Sequence, residues 1–268
     1  MDQTNSSIPA QRQQIIMEYL MEKSSISIRE AADLCHVSDA TARRDLDDMA
    51  VQGLIERTHG GAVVERGTGL EKNHAEKMKI MIPEKTRIAM EAAKMICDGN
   101  SIFLDSGTTT FLLAKQLQGF KNLTVVTHNL DVAYRIKLDQ TSTLILTGGI
   151  RRDGYNVLIG EIAEDLVNQL SVDIVFMGAD AINAKYGVFN SSFLELGIKR
   201  SCLSSGKQKV LISDHTKFNR KALTKVCNIE EFDTVITDEG IDDESRQILE
   251  TKIKKLIIVK NEAEGRKE

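Results

Sequence analysis

Seven short apolar runs constrain the fold of this chain more than any other feature: Ser101–Asp105, Leu123–His128, Thr143–Thr147, Val172–Gly178, Lys209–Asp214, Thr234–Asp238 and Leu256–Lys260. They are rich in Val, Ile and Leu, and the stretches between them carry helical patterns. Strands buried on both faces read this way, so the runs imply a largely parallel sheet covered by helices, an α/β domain. Pro83 opens its first helix, with Ile88, Ala92 and Ile96 on one face and Gly99 as the stop. The domain is expected over residues 83–268. Sheets of this kind bind ligands just beyond the carboxyl ends of their strands, so the candidate site residues are those that follow each run.

Those residues share a chemistry. Asp105-Ser106-Gly107-Thr108-Thr109-Thr110 follows the first run and opens a helix, which brings hydroxyls and backbone N–H groups together as an anion cradle. No Gly-Lys-Thr/Ser follows, so it is not a nucleotide-hydrolysing Walker loop. Later run ends supply Thr127-His128-Asn129, Thr147-Gly148-Gly149, Gly178-Ala179-Asp180 and Asp214-His215-Thr216-Lys217. Gly and Asp at strand ends are by themselves ordinary turn chemistry. Converging at one edge, they suit a small polyhydroxylated anion. Carboxylates and amides would hold its hydroxyls, while the cradle and Lys217 would hold a phosphate.

Residues 1–64 read as a winged helix-turn-helix. Pro9 begins a helix with Ile15, Ile16, Tyr19 and Leu20 as its stripe, ending near Lys23, and Ile26 fits a short strand. Ser27-Ile28-Arg29-Glu30 is a capping-box pattern that opens a helix through Cys35. After the turn at His36-Val37, Ser38 is a good N-cap for a third helix ending near Gly53. Ala42, Leu46 and Met49 form its inward face, while Ala40, Thr41, Arg43 and Arg44 face outward near the helix start. Small, hydroxyl and arginine side chains there suit a helix entering a DNA major groove. Leu54–Val64 holds two β-prone runs around a glycine pair, a hairpin that would act as the wing, with Arg57 and His59 toward the DNA backbone or minor groove. Asp45, Asp47 and Asp48 are repelled by phosphates, so they should turn toward the domain or solvent, one of them pairing with an arginine. Residues 65–82, with Gly67, Gly69 and many charges, read as a linker with a partly helical second half.

Charge argues against a strong solitary DNA binder. The whole chain of 268 residues carries net charge −4, and residues 1–64 hold six Lys/Arg against ten Asp/Glu. A basic footprint is the usual electrostatic sign of nucleic-acid binding. One head should therefore bind weakly, and a homo-oligomer built through the second domain should supply affinity on paired half-sites. No apolar run reaches membrane-span length and the polar start is not a signal peptide. The four scattered cysteines, with no CxxC pair, read as reduced thiols of a cytoplasmic protein with no metal or other cofactor.

The spacing Arg12, Ile16, Leu20, then Ser38, Thr41, Ala42, Arg43, Arg44, Asp45 and Leu46 resembles the helix-turn-helix signature of the DeoR family of bacterial transcriptional regulators. The second domain resembles the same family at Asp105-Ser106-Gly107-Thr108-Thr109, Thr127 with Asn129, Gly148-Gly149, Glu195 with Lys199-Arg200, and Asp214 with Lys217. The resemblance implies a sensor of the sugar-phosphate isomerase and CoA-transferase type. It also implies a regulator, most often a repressor, of a carbohydrate-utilisation operon that answers to a phosphorylated sugar. Arg12 joins the DNA-binding candidates, and Glu195 the effector-binding ones, on this resemblance.

The alternative is a sugar-phosphate isomerase with a nucleic-acid-binding appendage. It would need a base beside the substrate carbon, for which Asp180 and Glu195 are the candidates. Ribose-phosphate isomerases bracket a Gly-Ala pair with two acidic residues; here Met177 takes the first place. Glu195 and Lys199, at i and i+4, read more simply as a helix ion pair.

Overall fold

In the computed structural model, which describes residues 9–23, 25–51, 55–58, 60–63, 77–152 and 154–261, the chain separates into two units between Leu70 and Glu71. The division falls inside the segment read as a linker.

The first unit runs α1 (Pro9–Lys23), β1 (Ser25–Ser27), α2 (Ile28–Cys35), α3 (Asp39–Val51), β2 (Glu56–Thr58) and β3 (Gly61–Val63). The capping box at α2 is present: Glu30 N–H donates to Ser27 Oγ at 3.1 Å, and Ser27 N–H to the Glu30 carboxylate at 2.8 Å. His36 takes the left-handed conformation (φ 54°) that turns α2 into α3. Ser38 Oγ then accepts from Thr41 N–H at 3.3 Å and caps α3. Ile16, Leu20, Ala31, Cys35, Ala42, Leu46 and Met49 close into one buried cluster. The hairpin β2–β3 pairs antiparallel, and β3 also pairs with β1. Gly61 has no room for a side chain, because a Cβ there would lie 2.0 Å from the Ile26 carbonyl oxygen. The unit is a winged helix-turn-helix; Gly53 and His59 lie outside the described residues.

Arg12 departs from its expected role. It is buried, and its guanidinium grips Asp45 with both Nε (2.6 Å) and Nη2 (2.8 Å). It ties α1 to α3 rather than facing outward. The outward side chain of the wing, Arg57, holds Asp47 of α3 at 2.7 Å and donates to the Gly61 carbonyl. Two of the four α3 acids, Asp45 and Asp47, are thus neutralised by arginines.

The second unit continues with α4 (Ile82–Ala93), β4 (Ser101–Leu104), α5 (Thr108–Ala114), β5 (Thr124–Thr127), α6 (Leu130–Arg135), β6 (Thr143–Leu146), β7 (Ile150–Arg152), β8 (Val157–Ile159), α7 (Glu161–Asn168), β9 (Val172–Met177), β10 (Ala181–Asn183), β11 (Gly187–Asn190), α8 (Leu196–Ser205), β12 (Gly206–Ile212), β13 (Thr224–Cys227), β14 (Thr234–Asp238), α9 (Asp243–Lys252) and β15 (Lys255–Val259). The seven apolar runs become one parallel sheet in the order β15-β14-β12-β9-β4-β5-β6. Apolar clusters cover both of its faces, one with Phe103, Val175, Met177 and Leu211, the other with Ile102, Leu104, Phe176 and Val210. That two-sided burial is why the strands lack alternation. α4 stops at Ala93, short of Gly99, because Lys94, Met95 and Ile96 bond back three residues and wind into a tighter turn. The hairpin β7–β8 and the antiparallel sheet β10-β11-β13 were not foreseen; their runs of three or four residues are too short to show a period. No helix among the described residues is long and apolar enough to cross a membrane.

Removing one partner of a buried ion pair strands the other, at a cost of about 3–5 kcal/mol. Arg12→Ala is therefore expected to destabilise the first unit by that amount, read as faster hydrogen exchange in α1–α3 of the full chain. Unchanged protection there would contradict the assignment of Arg12 to the core.

Candidate functional site

The sheet order brings the carboxyl ends of β4, β9 and β12 side by side, and a cavity of about 610 Å³, counted out to its mouth, opens above them. Asp105, Ser106, Gly107, Thr108 and Thr109 follow β4, Asp180 follows β9, and Asp214 and Lys217 follow β12; all eight line it, with Glu195 before α8.

Asp105 is wholly buried and organises the floor. One carboxylate oxygen accepts from Lys199 Nζ at 2.7 Å and from Gly178 N–H at 3.0 Å. The other faces His128 Nε2 at 3.0 Å, and His128 Nδ1 faces the Leu158 carbonyl at 3.2 Å. Burial alone would raise the Asp105 pKa, but Lys199 and His128 hold it well below the usual carboxylate range. Lys199, equally buried, is held above the usual lysine range against that burial by Asp105 and Glu195. Thr110 secures the loop by donating its hydroxyl to the Asp105 and Gly107 carbonyls at 2.7 and 2.6 Å.

The other cavity carboxylates are also engaged. Asp180 accepts from Lys77 Nζ at 2.7 Å and from Ser191 N–H at 3.0 Å. Burial disfavours its charge, yet these partners bring its pKa down to about 2. Glu195 accepts from Arg152 at 2.5 Å, and Arg152 lies 3.8 Å over the ring of Tyr155. The expected Glu195–Lys199 helix pair is thus replaced by two others, Arg152–Glu195 and Lys199–Asp105. Asp214 accepts from the backbone N–H and hydroxyl of Thr216. Lys217 differs from the other cations: among the described residues its ammonium makes no ion pair, and burial pushes its pKa down from the ordinary lysine value.

Four expected site residues do not reach the cavity. Thr127 Oγ1 donates to the Leu104 carbonyl at 2.8 Å, and Asn129 caps α6 by accepting from Val132 N–H at 2.8 Å. Gly148 and Gly149, at φ 70° and 106°, make the sharp turn from β6 into β7; a Cβ on Gly149 would lie 2.7 Å from the Ile159 carbonyl oxygen. The cavity wall gains Lys77, Lys85, Tyr155, Asn190, Lys199 and Ser213. Lys85 had a readable signal, since it shares the inward stripe of α4 with Ile88 and Ala92. Lys77, in a charged stretch without period, had none. No group of three or more His, Cys, Asp or Glu among the described residues is placed to hold a metal ion.

On the first unit, Ser38, Ala40, Arg43 and Arg44 are exposed at the front of α3. Thr41 is half-buried, its hydroxyl 3.0 Å from Ser38 Oγ. At a helical turn of 100° per residue, Ala40 and Arg44 lie opposite the buried Ala42 and Met49, and Arg43 lies on the flank.

A winged helix-turn-helix joined to an α/β domain with a polar cavity at its strand ends defines a DNA-binding regulator with a small-molecule sensor. The DeoR-like helix-turn-helix model matches residues 12–68, and the DeoR C-terminal sensor model matches residues 80–239. The chain belongs to the DeoR family of transcriptional regulators. It is 32% identical over 255 residues to the uncharacterised HTH-type transcriptional regulator YgbI of Escherichia coli (strain K12), covering 95% of this chain and 100% of that one. It is 33% identical over 228 residues to the glycerol-3-phosphate regulon repressor of the same organism, covering 85% and 90%. Among solved structures, a D-ribose-5-phosphate isomerase bound to phospho-erythronic acid aligns over 55% of each chain at 17% identity, with a TM-score of 0.36. That likeness is too distant to bear on ligand or activity.

A good bidentate side-chain contact to a base is worth ~1–3 kcal/mol. Arg43→Ala and Arg44→Ala are each expected to weaken binding to an in vitro selected operator fragment by that much per head, at unchanged thermal stability. Unchanged affinity in both variants would contradict a recognition role for the front of α3.

Proposed function

We propose that this protein is a repressor of a carbohydrate-utilisation operon, released or engaged by a small phosphorylated sugar or polyol held in the sensor cavity. The observation that carries the reading is Lys217. Its half-buried ammonium makes no ion pair among the described residues, while the cavity carboxylates Asp105, Asp180 and Glu195 each hold a cation. A dianionic phosphate would pair with it, the hydroxyls of Ser106, Thr108 and Thr109 in the same cavity lining adding donors. The matched carboxylates and Asn190 would accept and donate to sugar hydroxyls. The relative named for a glycerol-3-phosphate regulon supports both the repressor role and a phosphorylated polyol.

The same charges speak against proton-transfer chemistry. A general base works best with a pKa near the operating pH, and Asp180, held at about 2, is a poor one. Glu195 is clamped by Arg152. The cavity therefore supports binding without turnover, in a cytoplasmic homo-oligomer that presents several weakly charged heads to a double-stranded operator.

A ligand that binds only the folded state raises stability, by about 2.7 kcal/mol at a hundred times its Kd. A thermal-shift panel of phosphorylated sugars and polyols should find compounds that raise the melting temperature, while their unphosphorylated forms do not. Thr108→Asp, which fixes a negative charge in the cavity that Lys217 lines, should bind operator like the parent and lose both the shift and the operator response. A full response in Thr108→Asp, or a panel with no phosphorylated binder, would refute the reading.

A further inference from the structure

Lys77, the first described residue of the second unit, lies in the cavity wall. The turn Lys77–Ile80 lies immediately before α4, and two sets of contacts hold it. On one side the Lys77 ammonium pairs with Asp180 at 2.7 Å, both side chains largely shielded from water. On the other, the buried Lys85 ammonium donates to the Lys77 and Ile80 carbonyls, at 2.8 Å each, and lies 4.0 Å from Asp214. Asp180 and Asp214, the carboxylates facing these two ammoniums, both line the cavity, as do Lys77 and Lys85 themselves. These four charges are thus open to whatever occupies the cavity.

We propose that the Lys77–Asp180 pair is the switch through which cavity occupancy reaches the DNA-binding head. The proposal rests on the cavity being the effector site. An anion beside Lys217 competes with Asp180 for the Lys77 ammonium, and hydroxyls bonded to Asp180 or Asp214 weaken their hold on the two lysines. Either change alters the turn Lys77–Ile80, and the turn is continuous with the segment that leads back to the winged helix. A ligand shifts such an equilibrium only by its differential interaction with the two arrangements, and here that difference is electrostatic and local. Lys77 is accordingly a positioning residue for the DNA-binding response. Coupling between two such sites typically changes affinity some five- to 150-fold.

The test uses the full-length protein and a charge exchange. Lys77→Glu and Asp180→Lys each break the pair; together they restore it with reversed polarity. Each single variant is expected to change operator affinity at least five-fold and to speed amide exchange across residues 77–85. The double variant is expected to return both to within about two-fold of the parent. Lys77→Gln, which removes charge without reversing it, should behave like Lys77→Glu and guards against a folding artefact of the reversed charge. Singles that match the parent, or a double whose effects merely add, would overturn the proposal. A second arm adds glycerol 3-phosphate and, separately, fructose 6-phosphate. If the parent responds to either probe and Lys77→Gln responds equally, the coupling inference is wrong while the effector site stands. If the parent responds to neither and the thermal-shift panel is also blank, the effector-site reading fails and this inference with it.

Discussion

A single carboxylate, that of Asp105, holds the sensor cavity together. It stands at the end of a central strand of the sheet, takes the ammonium of Lys199 from α8, the imidazole of His128 beyond β5 and the N–H of Gly178 beyond β9. An isolated buried carboxylate would be costly. Here three elements supply donors to it, so the charge becomes the point to which the surrounding loops are tied. Both ring nitrogens of His128 face acceptors, the carboxylate on one side and the Leu158 carbonyl on the other. The hairpin β7–β8 is thereby tied to the same centre.

With the interior charges so matched, the character of the cavity is set by what is left over. Lys85 is taken up by backbone carbonyls, Lys77 by Asp180 and Lys199 by Asp105. Lys217 sits in partly desolvated surroundings, in the same cavity lining as the hydroxyls of Ser106, Thr108 and Thr109. The winged helix solves its own charge problem in a related way. Its excess of acids looked unsuited to DNA, yet Asp45 is spent inside the core on Arg12 and Asp47 on Arg57. Arg43 and Arg44 remain exposed at the front of α3.

The strands were legible because burial on both faces leaves unbroken runs of Val, Ile and Leu, and all seven runs became strands. The capping box at Ser27 and Glu30 and the stripe Ala42, Leu46, Met49 were legible for a related reason: local chemistry and period sufficed. Strand order was not. Thr127 ends β5 and Gly148-Gly149 follow β6, strands that lie toward one edge of the sheet, whereas the cavity opens over β4, β9 and β12. Nothing local distinguishes a strand end that meets its neighbours from one that does not. Pair partners were hidden for the same reason. Glu195 and Lys199 have the spacing of a helix pair, but Glu195 precedes α8 and long-range partners claim both side chains. Arg12, placed by family resemblance among the DNA contacts, is drawn inward by Asp45, 33 residues away.

Hydrogen exchange of the full-length Asp105→Asn protein tests the organising role of Asp105 most directly. The substitution keeps the shape and removes the charge, leaving Lys199 buried without its counter-ion, at a cost of about 3–5 kcal/mol. Exchange is expected to accelerate together in the loop 105–110, at 177–180 and at the start of α8, while amides of α1–α3 in the winged helix keep their protection. Parent-like protection at all three sensor segments, or loss confined to the loop itself, would contradict the claim that one carboxylate ties them together.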